Sequence, residues 1–111
     1  MKKFIVIYHA SASWMEQMAG SSAEEMKKGM EQWMAWAERT GTALVDFGSP
    51  LMGGQKLSKS GSSPSDKGVI GYSILQAEDM EAAKALLQGH PHIEMGAGCE
   101  IEVHESMPPP M

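Results

Sequence analysis

The sequence predicts a single α+β domain with the element order β-α-β-β-α-β. Three observations carry that expectation. Phe4-Ile5-Val6-Ile7-Tyr8 is an unbroken β-branched and aromatic run, the mark of a central strand covered on both faces. Met26, Met30, Trp33 and Ala37 recur at the three- and four-residue spacing of an amphipathic helix. Two further apolar runs, Gly68 to Leu75 and Cys99 to His104, flank a second helical pattern that Gly89 and Pro91 bring to a stop.

Each element has its own local reason. After the first strand, Ala10 to Gly20 is weakly periodic and rich in small residues, which suits a short helix or a lid carrying Trp14, Met15 and Met18. Ser22-Ala23-Glu24-Glu25 matches a capping box, in which the hydroxyl accepts from the N3 amide while Glu25 reaches back. The helix it opens closes at Arg39 and Gly41, with the cation near the negative end of the macrodipole. Gly29 within it lowers helix propensity by about 1 kcal/mol relative to Ala and permits a close approach to the sheet. Thr42 to Phe47 reads as the second strand, bent or bulged at Gly48-Ser49-Pro50. Met52 to Leu57 resumes extended structure, and Ser58 to Lys67, without an apolar period, reads as a loop. Gly68 to Leu75 is the third strand. Glu78, Asp79 and Glu81 crowd the positive end of a second helix reaching Gln88, with Met80, Ala83, Leu86 and Leu87 as its apolar stripe. Cys99 to His104 is the fourth strand. Pro108-Pro109-Pro110 cannot join a ladder, so the domain is expected to span residues 1–105 and a proline-rich tail residues 106–111.

This order is the split βαβ pattern of a ferredoxin-like sandwich, an antiparallel four-stranded sheet with both helices on one face. Ile5 and Ile7 point away from Phe4, Val6 and Tyr8, so the other face also wants cover. A second copy packed sheet to sheet is the simplest cover, which predicts a homodimer.

Composition narrows the function. A chain of 111 residues is one small domain. A net charge of -5, with Lys27, Lys28, Lys56, Lys59 and Lys67 scattered among acids and serines, argues against a nucleic-acid backbone as partner. Lys56 to Asp66 lacks the spacing of a phosphate-binding loop. Cys99 is the only cysteine, which fits a reducing compartment, and its strand spacing with Ile101 and Val103 suits a buried thiol better than a nucleophile. Lys2-Lys3 followed by Phe4 to Tyr8 imitates a signal peptide, but the apolar run is shorter than the roughly 7–15 residues required. No run is long enough for a membrane span, so the expected location is cytoplasmic.

Lys3-Phe4-Ile5-Val6-Ile7-Tyr8-His9, Gly89-His90-Pro91 after the second helix, and Ile101-Glu102-Val103 in the last strand together resemble the YCII-related family. The resemblance covers nearly the whole chain. It implies a dimeric α/β barrel, with two sheets facing each other, in a superfamily that includes small isomerases, oxygenases and heme-linked enzymes. It also implies a histidine and an aspartate in a pocket, which map onto His90 and Asp46. The chain departs from the branch carrying Asp-Gly-Pro-Phe before the third strand, since Ser58-Lys59-Ser60-Gly61-Ser62-Ser63-Pro64-Ser65-Asp66 stands there.

The residues themselves offer the same candidates. His90 at the second helix's C-terminus is read either as a general acid/base or as a cap on free carbonyls. Asp46, a charge in an apolar strand, either orients a histidine or faces water at the strand edge. Tyr72 or Ser49 would donate to an oxyanion, and Trp14 and Met18 would line a pocket for an apolar molecule. Met26, Met30 and Trp33 read as plain core. His92 lacks the further ligands a metal needs and reads as a loop residue. No metal or cofactor is called for. Two functions fit: a cofactor-independent small enzyme using His90 and Asp46 on a small apolar molecule, or a non-catalytic dimeric module that binds a ligand or docks on a partner.

Overall fold

A computed structural model describes residues 1–96 and 98–108. The elements are β1 (Lys2–Ala10), α1 (Ala12–Ala19), α2 (Ala23–Thr40), β2 (Leu44–Asp46), β3 (Gln55–Ser58), β4 (Gly61–Pro64), β5 (Val69–Ala77), α3 (Met80–Leu86), the single turn α4 (Pro91–Glu94) and β6 (Cys99–Ser106). Four strands form one sheet in the order β2-β5-β1-β6, every neighbouring pair antiparallel. β5 is inserted between β1 and β2, and β1 between β5 and β6. That is the split pattern the sequence predicts, and it is consistent with a ferredoxin-like sandwich. Among the described residues no helix is long and apolar enough to cross a membrane.

Strand alternation decides which face receives the helices. In β1 the buried set is Phe4, Val6, Tyr8 and Ala10; in β5 it is Gly71, Ser73, Leu75 and Ala77. Trp36 of α2, Ala83 of α3 and Leu87 beyond it complete one cluster with these residues, so both helices share a face. Phe4, Val6 and Leu75 are wholly buried, a gain of roughly 1.5–3 kcal/mol for each side chain. The indole N–H of Trp36 donates to the Leu86 carbonyl at 3.0 Å and ties α2 to the end of α3. Cys99 is buried at the start of β6, and burial pushes its thiol pKa up.

Several boundaries differ from the expectation. Ser22 caps α2, its hydroxyl oxygen accepting from the Glu25 amide at 3.2 Å, but the Glu25 carboxylate takes the Ser22 hydroxyl at 3.3 Å instead of the backbone N–H. Gly41–Ala43 forms a 3₁₀ turn, so the second strand starts at Leu44. The expected loop between Ser58 and Lys67 contains a strand: β3 and β4 pair from Gln55↔Pro64 to Ser58↔Gly61. Every residue of that hairpin is exposed, so it needs no apolar alternation; backbone pairing holds it, with a 2.8 Å contact between the Ser58 and Ser60 hydroxyls at its turn. It contributes to a radius of gyration of 15.4 Å, against about 13 Å for a compact chain of this length. α3 is shorter than expected and starts after Asp79, whose carboxylate caps the Ala82 amide at 2.8 Å. β6 reaches Ser106, and of the proline run Pro109 and Pro110 lie outside the described residues.

The expected core stripe of α2 is only half right. Trp33, Trp36, Ala37 and Thr40 rest on the sheet side, but Met26 and Met30 are 62% and 59% exposed. The N-terminal half of the helix overhangs the sheet. Beneath it β2 has already ended, and the chain bends at Gly48, as the bulge reading anticipates. The register slips between Leu44 and Asp46, and Pro50 touches down again in a single bridge to Gly71.

The two glycines that bracket this overhang respond differently to a methyl group. Gly48 has φ +84°, and a Cβ there would lie 1.7 Å from the Tyr72 carbonyl oxygen. Gly29 sits mid-helix with nothing within 4 Å of an added Cβ. Gly48→Ala is expected to destabilise by 3 kcal/mol or more, about the scale of a strained backbone plus a core clash. Gly29→Ala is expected to stabilise by about 1 kcal/mol. Urea midpoints of the two variants check this; equal midpoints would contradict the close approach at Gly48.

Candidate functional site

The Gly89-His90-Pro91-His92 segment does more than stop a helix. Gly89 takes φ +70° and turns the chain after α3. Pro91, with its fixed φ, starts a new turn at the position that needs no amide donor. His90 thereby becomes the N-cap of α4: its Nδ1 accepts the His92 amide at 3.0 Å. Both histidines are buried, His90 completely. The expected C-terminal position for His90 and the loop position for His92 are therefore corrected. A fresh turn opened by Pro91 carries both rings under the helices.

The hydrogen atoms in this site follow from its geometry. Because His90 Nδ1 accepts, the neutral ring carries its proton on Nε2, which donates to the Tyr8 hydroxyl oxygen at 3.3 Å. The Ser73 hydroxyl donates to the Phe47 carbonyl at 2.6 Å, so the Tyr8 hydroxyl donates to Ser73 Oγ at 2.8 Å. The chain of donors runs one way, from α4 through β1 and β5 to the loop after β2. His92 Nε2 donates to the His9 carbonyl at 2.7 Å and pins α4 to β1. Trp36, Trp33 and Tyr8 surround the His90 ring at centroid distances of 4.3, 4.6 and 5.1 Å.

This environment sets the protonation states. Burial, helped by the charges of His92 and Arg39, pushes His90 down to about 3. Burial also lowers His92, against its backbone hydrogen bonds, and pushes Tyr8 up to about 12 although Ser73 pulls it back. The His90 imidazole is thus buried, neutral and held in one tautomer. Asp46 does not join it. That carboxylate is exposed, and its Oδ1 accepts the Gly48 amide at 2.8 Å in an Asx turn. His90 and Asp46 thus keep separate partners.

The overhang of α2 leaves a cleft of about 340 Å³ above β5 and the loop after β2. Met18 of α1, Met26, Gly29, Met30 and Trp33 of α2, and Ser49 of the loop line it, with Tyr8 at its floor. Of the sequence-predicted binding residues, Met18, Ser49 and Tyr72 border this cleft. Alternation with Gly71 and Ser73 aims the Tyr72 side chain at the sheet's other face. Trp14 stands elsewhere, its ring centroid 6.1 Å from that of His92.

His9 was not among the predicted site residues. It lies on the open sheet face, its Nδ1 2.7 Å from the Lys67 carbonyl and its Nε2 2.8 Å from Glu102 Oε1. Both partners only accept, so both ring nitrogens carry protons and His9 is an imidazolium. The Lys67 carbonyl first, then Glu102 and Glu100, raise its pKa against a modest burial penalty. Glu102 also approaches His104 at 3.5 Å. The signal lay in the alternation Glu100, Glu102, His104, which puts these side chains on the face that His9 shares with Ile5 and Ile7.

The fold and site define an α+β sandwich with a sealed histidine–tyrosine network under its helices and an apolar cleft beside it. The model of the YCII-related domain matches residues 1–106, and the chain belongs to that family. No curated protein matches the sequence.

The histidines predict the pH dependence of folding. His90 and His92 have folded pKa values below the ordinary 6.5, so the unfolded chain binds more protons as pH falls. Their contribution is present above 6.5 and drains away toward about 3, the folded value of His90. His9 is raised, so its contribution is full below 6.5 and is lost as pH rises through its folded value. Urea midpoints measured from pH 4 to 9 should peak near neutrality, and His9→Gln should flatten the alkaline limb alone. A midpoint that climbs steadily below pH 6 would contradict the buried neutral assignment.

Proposed function

We propose that this YCII-related protein is a dimeric module that binds a small, largely apolar molecule in the cleft under the N-terminal half of α2. The cleft itself carries the reading. Its walls come from four methionines, Trp33 and Phe47, a deformable and polarizable lining of the kind that accepts varied ligands. The acid–base alternative loses support because His90 is sealed and Asp46 is engaged elsewhere. Tyr8 at the floor, with a pKa near 12, serves as a neutral hydrogen-bonding group and not as a base.

The arrangement as a dimeric α/β barrel is supported by the open sheet face. Ile5, Ile7 and Ile74 are only partly covered there, and Val45 is exposed. A second copy facing this surface would remove it from water.

Two measurements test this reading. N-phenyl-1-naphthylamine, a neutral fluorescent apolar probe, should bind saturably to the protein. Gly29→Leu, whose side chain grows into the cleft without a backbone clash, should weaken it about tenfold, the loss of roughly 1.4 kcal/mol of contact. Undiminished binding by that variant would remove the cleft from consideration. Separately, sedimentation at micromolar concentration should report twice the chain mass, and Ile7→Glu should halve it. A wild-type monomer would contradict the sheet-to-sheet dimer.

A further inference from the structure

We infer that the ligand of the α2 cleft is a hydrophobic organic cation, an ammonium compound with an apolar body. This rests on the cleft reading above and names the chemical class of its occupant. Among the side chains lining the cleft one carries a formal charge, and it is the carboxylate of Glu25. None of the chain's nine Lys and Arg residues borders it. Glu25 is fixed in the first turn of α2, where its Oε1 takes the Ser22 hydroxyl at 3.3 Å, so the negative charge has a defined place at the rim.

The walls point the same way. Tyr8 and Trp33 meet edge to face at 4.8 Å, and Trp33 and Phe47 lie nearly parallel at 6.3 Å. Three aromatic rings thus meet at one end of the cleft. The negative face of such rings attracts a cation, and tryptophan does so best. The thioether sulfurs of Met18, Met26 and Met30 add polarizable, electron-rich atoms and no donor. A neutral hydrocarbon would use the apolar area alone. An anion would meet a like charge and no donor cation. A cation with an apolar body uses the area, the rings and the carboxylate together. The net charge of -5 further favours its approach at low salt.

The test is competition against N-phenyl-1-naphthylamine by three ligands on one frame: phenyltrimethylammonium, its neutral isostere tert-butylbenzene, and the anion 4-tert-butylbenzoate, which adds a ring carboxylate. In a merely apolar cleft the hydrocarbon wins, because the cation must shed its water. The expected result is that phenyltrimethylammonium competes about five-fold better than tert-butylbenzene, the size of a partly exposed cation–aromatic contact, and that the benzoate is weakest. Glu25→Gln should cost the cation about five-fold, whereas Glu24→Gln, on the same helical turn but outside the cleft, should leave it unchanged. If tert-butylbenzene competes better than the cation, or Glu25→Gln leaves the cation's affinity intact, the charge inference is overturned while the cleft reading stands. If the probe itself does not bind, both fall.

Discussion

The hydrogen-bonded chain from the α4 N-cap through His90, Tyr8 and Ser73 to the Phe47 carbonyl is the constraint on which the site depends. It joins four segments that are far apart in sequence, with Tyr8 and His90 separated by 82 positions and Tyr8 and Ser73 by 65. Each member both accepts and donates, and no buried side-chain N or O among the described residues lacks a partner. Breaking one link strands a buried polar group at a cost of about 1–3 kcal/mol, more than the link contributes when made. The Phe47 carbonyl at its end holds the start of the loop that floors the cleft. The geometry of the cleft is therefore inherited from a polar network that no ligand need touch.

That network also explains why α2 overhangs. The helix is 18 residues long, or about 27 Å at the usual rise. Its C-terminal half is anchored by Trp33 and Trp36, whose rings close over His90. Below its N-terminal half the loop after β2 bends inward at Gly48 and presses against the Tyr72 carbonyl, leaving room where a longer strand would have supplied side chains. The exposed face of Met26 and Met30 follows from this. The same spacing that marks a helix core elsewhere here lines an open cleft.

Local pattern made most of the sheet and the long helix legible. β1 announces itself because β-branched and aromatic residues fill both faces, β5 because Val69, Ile70, Tyr72, Ile74 and Leu75 fall in one short run, and α2 because a capping serine precedes a helical period. The β3–β4 hairpin was hidden because Gly61-Ser62-Ser63-Pro64 carries no apolar side chain, so its pairing leaves no trace in composition. The site was less legible still. Gly89 and Pro91 signal a stop, and that signal is correct for α3, but the same proline starts α4 and turns His90 and His92 inward. The Asp46 oxygen closes on the Gly48 amide two residues on, a local contact that competes with any distant partner and that a charge in an apolar strand does not announce. Which side chains meet across the fold is decided by packing, and one-dimensional spacing does not encode it.

The sheet keeps its histidines in opposite states on its two faces, and this bears on the proposed dimer. Under the helices His90 is neutral because water is excluded and every hydrogen bond suits the neutral ring. On the open face His9 is charged because the Lys67 carbonyl and the Glu102 carboxylate accept from both nitrogens. A lone imidazolium carried into a sheet-to-sheet interface would lose its hydration with nothing in return. His9 would enter already paired within its own subunit, with Glu102 shared toward His104. The pair supplies a fixed polar rim on β6 beside Ile5, Ile7 and Ile74. An apolar strip flanked by satisfied charges can associate in one register and resists sliding, which an unbroken apolar sheet face would not.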